Sequence, residues 1–136
     1  MKITRLQVLS ADEHAFVQAL AEGWMPRGGV PELFGADAQL GAFLDDTLTV
    51  ISPLNRKLIK LLMQVLDDST LPTHLSTYTG LKQHDRTSVL HGWIHHDNPL
   101  ARSAVQGLVV LIAVGWTTHP DVVAVLEPSM RCRYGR

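Results

Sequence analysis

The stretch 107-GLVVLIAVGW-116 runs for ten residues without a charge, and its reading decides the fold class. Counted from Ala104 across Gln106, the apolar run reaches thirteen residues. Just upstream, Asn98-Pro99 supplies a cap followed by proline in the first helical position, where the missing amide costs nothing. The helix it opens is mixed only at Arg102, Ser103 and Gln106 and then becomes apolar all round. A helix of that kind is buried. It is expected to be the central element, with Leu108, Val109, Leu111 and Ile112 among the most buried residues. Thirteen residues fall short of the roughly 20 that cross a bilayer, so no membrane span is expected.

The neighbouring segments read as helices to pack around it. Ser10-Ala-Asp-Glu13 is a capping box, in which the serine accepts from the amide three residues on and the glutamate reaches back. Phe16, Val17, Leu20 and Ala21 follow at helical spacing to about Trp24, and 26-PRGGVPELFGA-36 then breaks the pattern. A second, weaker helix takes Leu40, Phe43, Leu44 and Leu48 as its stripe. Ser52-Pro53 repeats the cap-then-proline device before 54-LNRKLIKLLMQVLDD-68. That helix is strongly amphipathic, with Leu54, Leu58, Leu61, Leu62 and Val65 on one side and Arg56, Lys57, Lys60 and Gln64 on the other. The Ser/Thr-rich segment 68-DSTLPTHLSTYTG-80 reads as a connection crossing the surface. A helix follows over about 82 to 96, and 120-PDVVAVLE-127 is a last short one. Strand-like alternation and internal repeats are absent from the sequence. The expected fold is therefore all-α, a compact bundle of five or six helices around a buried apolar central helix, with residues 1–136 forming a single domain.

Composition narrows the function classes. At 136 residues, 46% hydrophobic and 18% charged, the chain has the makeup of a folded globular protein with enough length for a core. Its formal net charge of −1 and pI near 6.6 provide no basic field for phosphates, so nucleic acid is not an expected partner. The lone Cys132 cannot form an internal disulfide and has no CxxC motif or nearby histidine, so it reads as inert. The first fourteen residues lack the continuous apolar core of a signal peptide and turn acidic by residue 12. A soluble, cytoplasmic protein is expected, with export only if a partner carries it.

The segment 90-LHGWIHHDNP-99 raises the question of a metal. On a helical projection, His84, His91 and His95 cluster within about 40° of each other, opposite the stripe of Val89, Leu90, Trp93 and Ile94. A metal site needs three or four ligands with supporting hydrogen bonds, usually drawn from several elements. His91 and His95 are the weak candidates, because one helix offers only their i, i+4 pair and lacks the glutamate of an HExxH motif. A solvated polar face is the better reading. His96, Asp97 and Asn98 read as helix-end and turn residues, and His119 beside Pro120 as a turn residue. The pairs Asp45-Asp46 and Asp67-Asp68 read as solvated acids at helix ends. Phosphate-binding glycine loops and a GxSxG nucleophile elbow are missing as well. No catalytic, cofactor-binding or metal residue is therefore assigned.

The segment 86-RTSVLHGWIHHDNPLARSAVQGLVVLIAVGWTTHPDV-122 carries a resemblance. Its plan is an arginine, a "VL..W" helix end, a polar link, "PLAR", a long apolar helix, an aromatic and "HPDV". This resembles the small accessory subunit of gluconate 2-dehydrogenase and similar flavoproteins. It is also similar to the related N-terminal helical region of long-chain alcohol oxidases of the glucose-methanol-choline class. The spacing around Leu20 to Pro31 and the helix 53-PLNRKLIKLLMQVLDD-68 look like the same small-subunit pattern. The resemblance implies a non-catalytic accessory subunit or folding partner of a flavin-dependent alcohol or sugar dehydrogenase or oxidase, with FAD in the larger flavoprotein subunit. The alternative is a stand-alone helical binding module, or a homodimer, taking a peptide or lipid-like ligand. For the accessory reading, Trp93, Trp116, Thr118 and His119, at the two ends of the apolar helix, are the expected partner-binding residues. The competing account makes both indoles core.

Overall fold

In the computed structural model, which describes residues 7–25, 40–120, 122–124 and 127–128, Ser10 opens the first helix as its spacing predicts. Its Oγ accepts from the Glu13 amide at 3.2 Å, and α1 runs over Ala11–Trp24. The glutamate of the capping box is used differently. Glu13 Oε1 lies 3.4 Å from Lys60 Nζ, on another helix, so this end of α1 is tied into tertiary structure.

The remaining elements are α2 (Leu40–Val50), α3 (Pro53–Asp68), α4 (Leu71–His74), a 3-10 turn at Tyr78–Gly80, α5 (Gln83–Ile94) and α6 (Pro99–Thr118). The two predicted caps hold: Ser52 Oγ accepts from Asn55 N at 3.3 Å, and Asn98 Oδ1 from Leu100 N at 2.9 Å. Six helices and no strand among the described residues make the fold all-α, as expected. The expected helix 120–127 is helical at 120, 122–124 and 127, with Val122 fully buried. The rest of it, the loop 26–36 and Cys132 lie outside the described residues.

The centre of the bundle is α1, where the sequence had pointed to α6. α1 packs on α2, α3, α5, α6 and the 3-10 turn, and it buries Phe16, Val17, Ala19, Leu20, Ala21 and Gly23. At 100° per residue these positions span an arc of about 200°. The buried positions of α6, Val105, Leu108, Val109, Ile112 and Gly115, span only about 120°. Leu111 is half-buried, and Leu100, Val110 and Val114 face outward. Apolar composition made α6 look central, but the small side chains of α1 let neighbours approach from more directions. Gly23 shows this, since a Cβ there would run into the Tyr78 hydroxyl.

The whole of α6 is also longer than its apolar run. At 20 residues, with a mean hydropathy of 1.5 over its best window, it is long and apolar enough to cross a membrane by length and composition, with 28% of that window buried in the protein.

The connection 68–80 is more than a surface crossing. Tyr78 is fully buried, its ring centroid 5.7 Å from Phe16 in an edge-to-face arrangement and 4.9 Å from Trp93. Such aromatic pairs add about 0.5–1.5 kcal/mol beyond their area. Thr70 Oγ1 donates to Ser76 O at 2.6 Å, and Asp67 Oδ1 accepts from Thr79 N at 2.9 Å and Thr79 Oγ1 at 2.8 Å. These bonds close the segment against the end of α3.

Candidate docking faces

The amphipathic helix α3 is oriented with its apolar stripe outward. Leu54, Leu58, Leu61 and Val65 are 67%, 54%, 58% and 56% exposed. What α3 buries is Met63 and Leu66, with Ile59 and Leu62 partly covered. Two of its basic side chains, Arg56 and Lys60, reach inward to close the fold. Arg56 Nε donates to Leu48 O at 2.8 Å and its NH2 group to Thr49 O at 3.2 Å, capping the last turn of α2. Lys60 Nζ donates to Val8 O at 2.8 Å besides pairing with Glu13. The carbonyls at a helix end need donors, and long basic side chains on the neighbouring helix supply them.

A second apolar face lies on α6. Leu100, Val110 and Val114 are 82%, 60% and 48% exposed, and Ser103, Gly107 and Thr117 continue the same side of the helix. No charged residue occurs between Ser103 and Thr118. The opposite side is held tightly: a Cβ on Gly115 would run into the Phe43 ring and Leu40 on α2. A Cβ on Gly107 would meet nothing within 4 Å.

Most of the polar groups inside the fold hold it together, although Glu13 Oε2 and Arg86 Nε are buried without a hydrogen-bond partner. Asp45 is buried on α2, not solvated at a helix end, and its carboxylate accepts from the amides of Gln7, Val8 and Leu9, each at 2.8 Å. Burial pushes its pKa up, but the three amide bonds and the nearby His14 outweigh that and hold it below the usual carboxylate range. Arg86 pairs with Glu22 and donates to Thr79 O, joining α5 to α1 and to the 3-10 turn. Burial pushes the Tyr78 phenol up in pKa, so it stays protonated and donates to Arg86 O.

A cleft of about 470 Å³ opens between α1, α3 and the 3-10 turn. Phe16 and Met63 contribute its apolar part and Asp12, Glu13, Asp67 and Asp68 its acidic part, and no histidine, cysteine or basic side chain lines it. Asp67 is bonded to Thr79 and Glu13 pairs with Lys60, so two of the four carboxylates serve the fold.

The residues singled out from sequence fall in three places. His84, His91 and His95 are exposed on α5, as the projection predicts, with the His91 and His95 ring centroids 4.4 Å apart. Among the described residues no group of three His, Cys, Asp or Glu is placed to hold a metal. His96 Nδ1 accepts from Asn98 N at 3.0 Å, a helix-end role. Trp93 is half-buried against Tyr78, so its ring belongs to the edge of the core. Trp116 is half-buried too and packs on the core, whereas Thr118 is exposed and bonds Gly115 O at 2.8 Å. His119 ends α6, its N–H donating to Trp116 O at 3.2 Å and its carbonyl accepting from Val122 and Val123. The structure thus brings Trp116, Thr118 and His119 together at the end of α6 and leaves Trp93 apart from them, on α5. The outward stripe of α3 was visible as a stripe but not as a surface, because periodicity marks an apolar side without saying what covers it.

The chain matches no protein-family model, no curated protein and no solved structure.

Proposed function

We propose that this chain is a non-catalytic helical accessory subunit that docks on a larger flavin-dependent alcohol or sugar dehydrogenase or oxidase, with the FAD in that partner. The observation that carries the reading is the uncharged outer face of α6. Leu100, Val110 and Val114 stand in water on a helix whose other side is fully engaged. Interface cores are depleted in charge and enriched in apolar and aromatic groups. The C-terminal end of that face reaches Thr117 and Thr118, with the half-buried Trp116 beside them. The commitment of Asp45, Arg86, Glu22 and Lys60 to internal bonds supports a binding role over a catalytic one. The choice of a flavoprotein rests on the resemblance of residues 86–122 alone. A cytoplasmic location belongs to the same proposal.

Co-expression with a glucose-methanol-choline flavoprotein from the same genome tests it. Co-purification of the pair is the expected result, lost in Val110→Glu and Val114→Glu while the isolated chain keeps its melting temperature. Absence of co-purification, or its persistence in both variants, removes the reading. Sedimentation of the wild-type chain with anionic lipid vesicles, lost in the same variants, would make the face a membrane surface instead. The alternative of a homodimer is favoured by the other face, on α3.

A further inference from the structure

We infer that α3 is a self-association surface on which a second copy of this chain docks antiparallel, through Leu54, Leu58, Leu61 and Val65. The inference does not depend on the accessory-subunit reading, because it uses a different helix. Four observations carry it.

The first is spacing. The four exposed residues follow one another at 4, 3 and 4, which is the seam of a two-helix coiled coil, and the core-facing residues Met63 and Leu66 fall outside that seam. Among the described residues this seam points away from the core and stands exposed.

The second is shape. An open hollow is formed by Leu61, Gln64, Val65, Asp68 and Ser69, all in the C-terminal half of α3 or just after it. The most protruding knob, Leu54, stands in the N-terminal half. A knob at one end and a hollow at the other complement each other in a two-fold antiparallel pair, in which Leu54 of one copy meets Val65 of the other and Leu58 meets Leu61.

The third is charge. Lys57 flanks the seam in its N-terminal half and exposed Asp68 ends it. Antiparallel pairing brings the basic half toward the acidic end, and it also opposes the two helix dipoles. Parallel pairing in register would set Asp68, the next position along the seam, beside its twin.

The fourth is area. The four side chains expose on the order of 300–400 Å² of apolar surface per copy. A standard interface takes about 800 Å² per partner, with an apolar core and a polar rim. The stripe thus supplies the core of an interface, and Lys57, Gln64 and Asp68 supply its rim. A dimer that dissociates in the micromolar range is the expectation for a patch of this size.

Sedimentation velocity of the full chain from about 1 to 200 µM reads the outcome. The expected result is a concentration-dependent shift from monomer to dimer. Leu61→Glu, which replaces a solvent-facing side chain, should keep the helical circular dichroism and weaken dimerisation at least tenfold. Val110→Glu on α6 should leave the dimer unchanged, which separates this inference from the docking of a flavoprotein. Orientation is read by cysteine cross-linking in a Cys132→Ser background. Leu54→Cys mixed with Val65→Cys should form a disulfide across copies, while Leu54→Cys alone should not, since its twin lies about 16 Å away along the antiparallel pair. A monomer at every concentration, or a dimer indifferent to Leu61→Glu, overturns the inference. Efficient self-cross-linking of Leu54→Cys overturns the antiparallel arrangement.

Discussion

Asp45 Oδ1 accepts the backbone amide of Leu9 at 2.8 Å across thirty-six residues of chain, and the same carboxylate also takes the amides of Gln7 and Val8. One buried side chain thereby fixes the segment that leads into α1. A carboxylate in this position does the work of a helix cap, but for a strand of chain that belongs to no helix. Replacing Asp45 by Ala leaves three amides without their charged acceptor, and a loss of about 2–4 kcal/mol is expected from urea unfolding. An unchanged midpoint would show that the segment detaches without cost.

The same carboxylate sets a pH dependence. Its folded pKa is depressed, so its contribution is complete above the ordinary aspartate value of about 3.9 and is lost as pH falls through the lower folded value. The stability difference between wild type and Asp45→Asn should therefore be constant from pH 7 to about 5 and shrink below pH 4. A difference that grows on acidification would reverse the sign and exclude the amide bonds as its source.

Two glycines on α6 should respond oppositely to alanine. Gly107 has open space where its Cβ would stand, so Gly107→Ala should stabilise the isolated chain by about 0.5–1 kcal/mol through helix propensity. Gly115 lies against Phe43 and Leu40, and Gly115→Ala should destabilise by roughly 1–3 kcal/mol. Melting temperatures shifting in the same direction for both would contradict the packing of α6 on α2.

Arg56 caps α2 with two prongs, on Leu48 O and Thr49 O. Arg56→Ala should cost about 1–2 kcal/mol, and Arg56→Lys should recover only part of it, because an ammonium cannot reproduce the planar fork. Full rescue by lysine would make the contribution one of charge alone.

The histidine face of α5 should matter little to the isolated fold. With both rings exposed, His91→Ala combined with His95→Ala should move the melting temperature by only a few degrees, and elemental analysis of purified protein should find less than stoichiometric zinc or iron. About one metal per chain, lost in the double variant, would restore a metal role.

The three caps at Ser10, Ser52 and Asn98 were legible because capping is local: the side chain and the amide it satisfies lie within three residues. The wet histidines were legible because His84, His91 and His95 project on the side of the helix opposite Val89, Leu90, Trp93 and Ile94. The buried Asp45, the buried Tyr78 and the central place of α1 were not, since each depends on partners far away in sequence. Asp45 and Asp46 are alike in sequence, and only the amides of residues 7–9 make the first an internal anchor. For α3 the stripe was clear and its direction was not. Met63 and Leu66, with the inward-reaching Arg56 and Lys60, decide which side faces the core. The docking faces were therefore only half visible: their residues could be marked as apolar, but their exposure is a property of the assembled bundle.

The position of α1 at the middle of the bundle has a consequence for how the chain is made. α1 leaves the ribosome before the helices it packs on, whose surfaces arrive with α2, α3, α5 and finally α6. At synthesis rates of about 5–20 residues per second, roughly 5–20 s separate the emergence of Trp24 from that of Thr118. During that interval Phe16, Val17 and Leu20 have no complete shelter, and α1 depends on its own capping and on early contacts with α2 and α3. The contacts of α1 are complete only when α6 is out, so a truncation within α6 should leave a nascent-like, chaperone-bound polypeptide in place of a smaller folded domain.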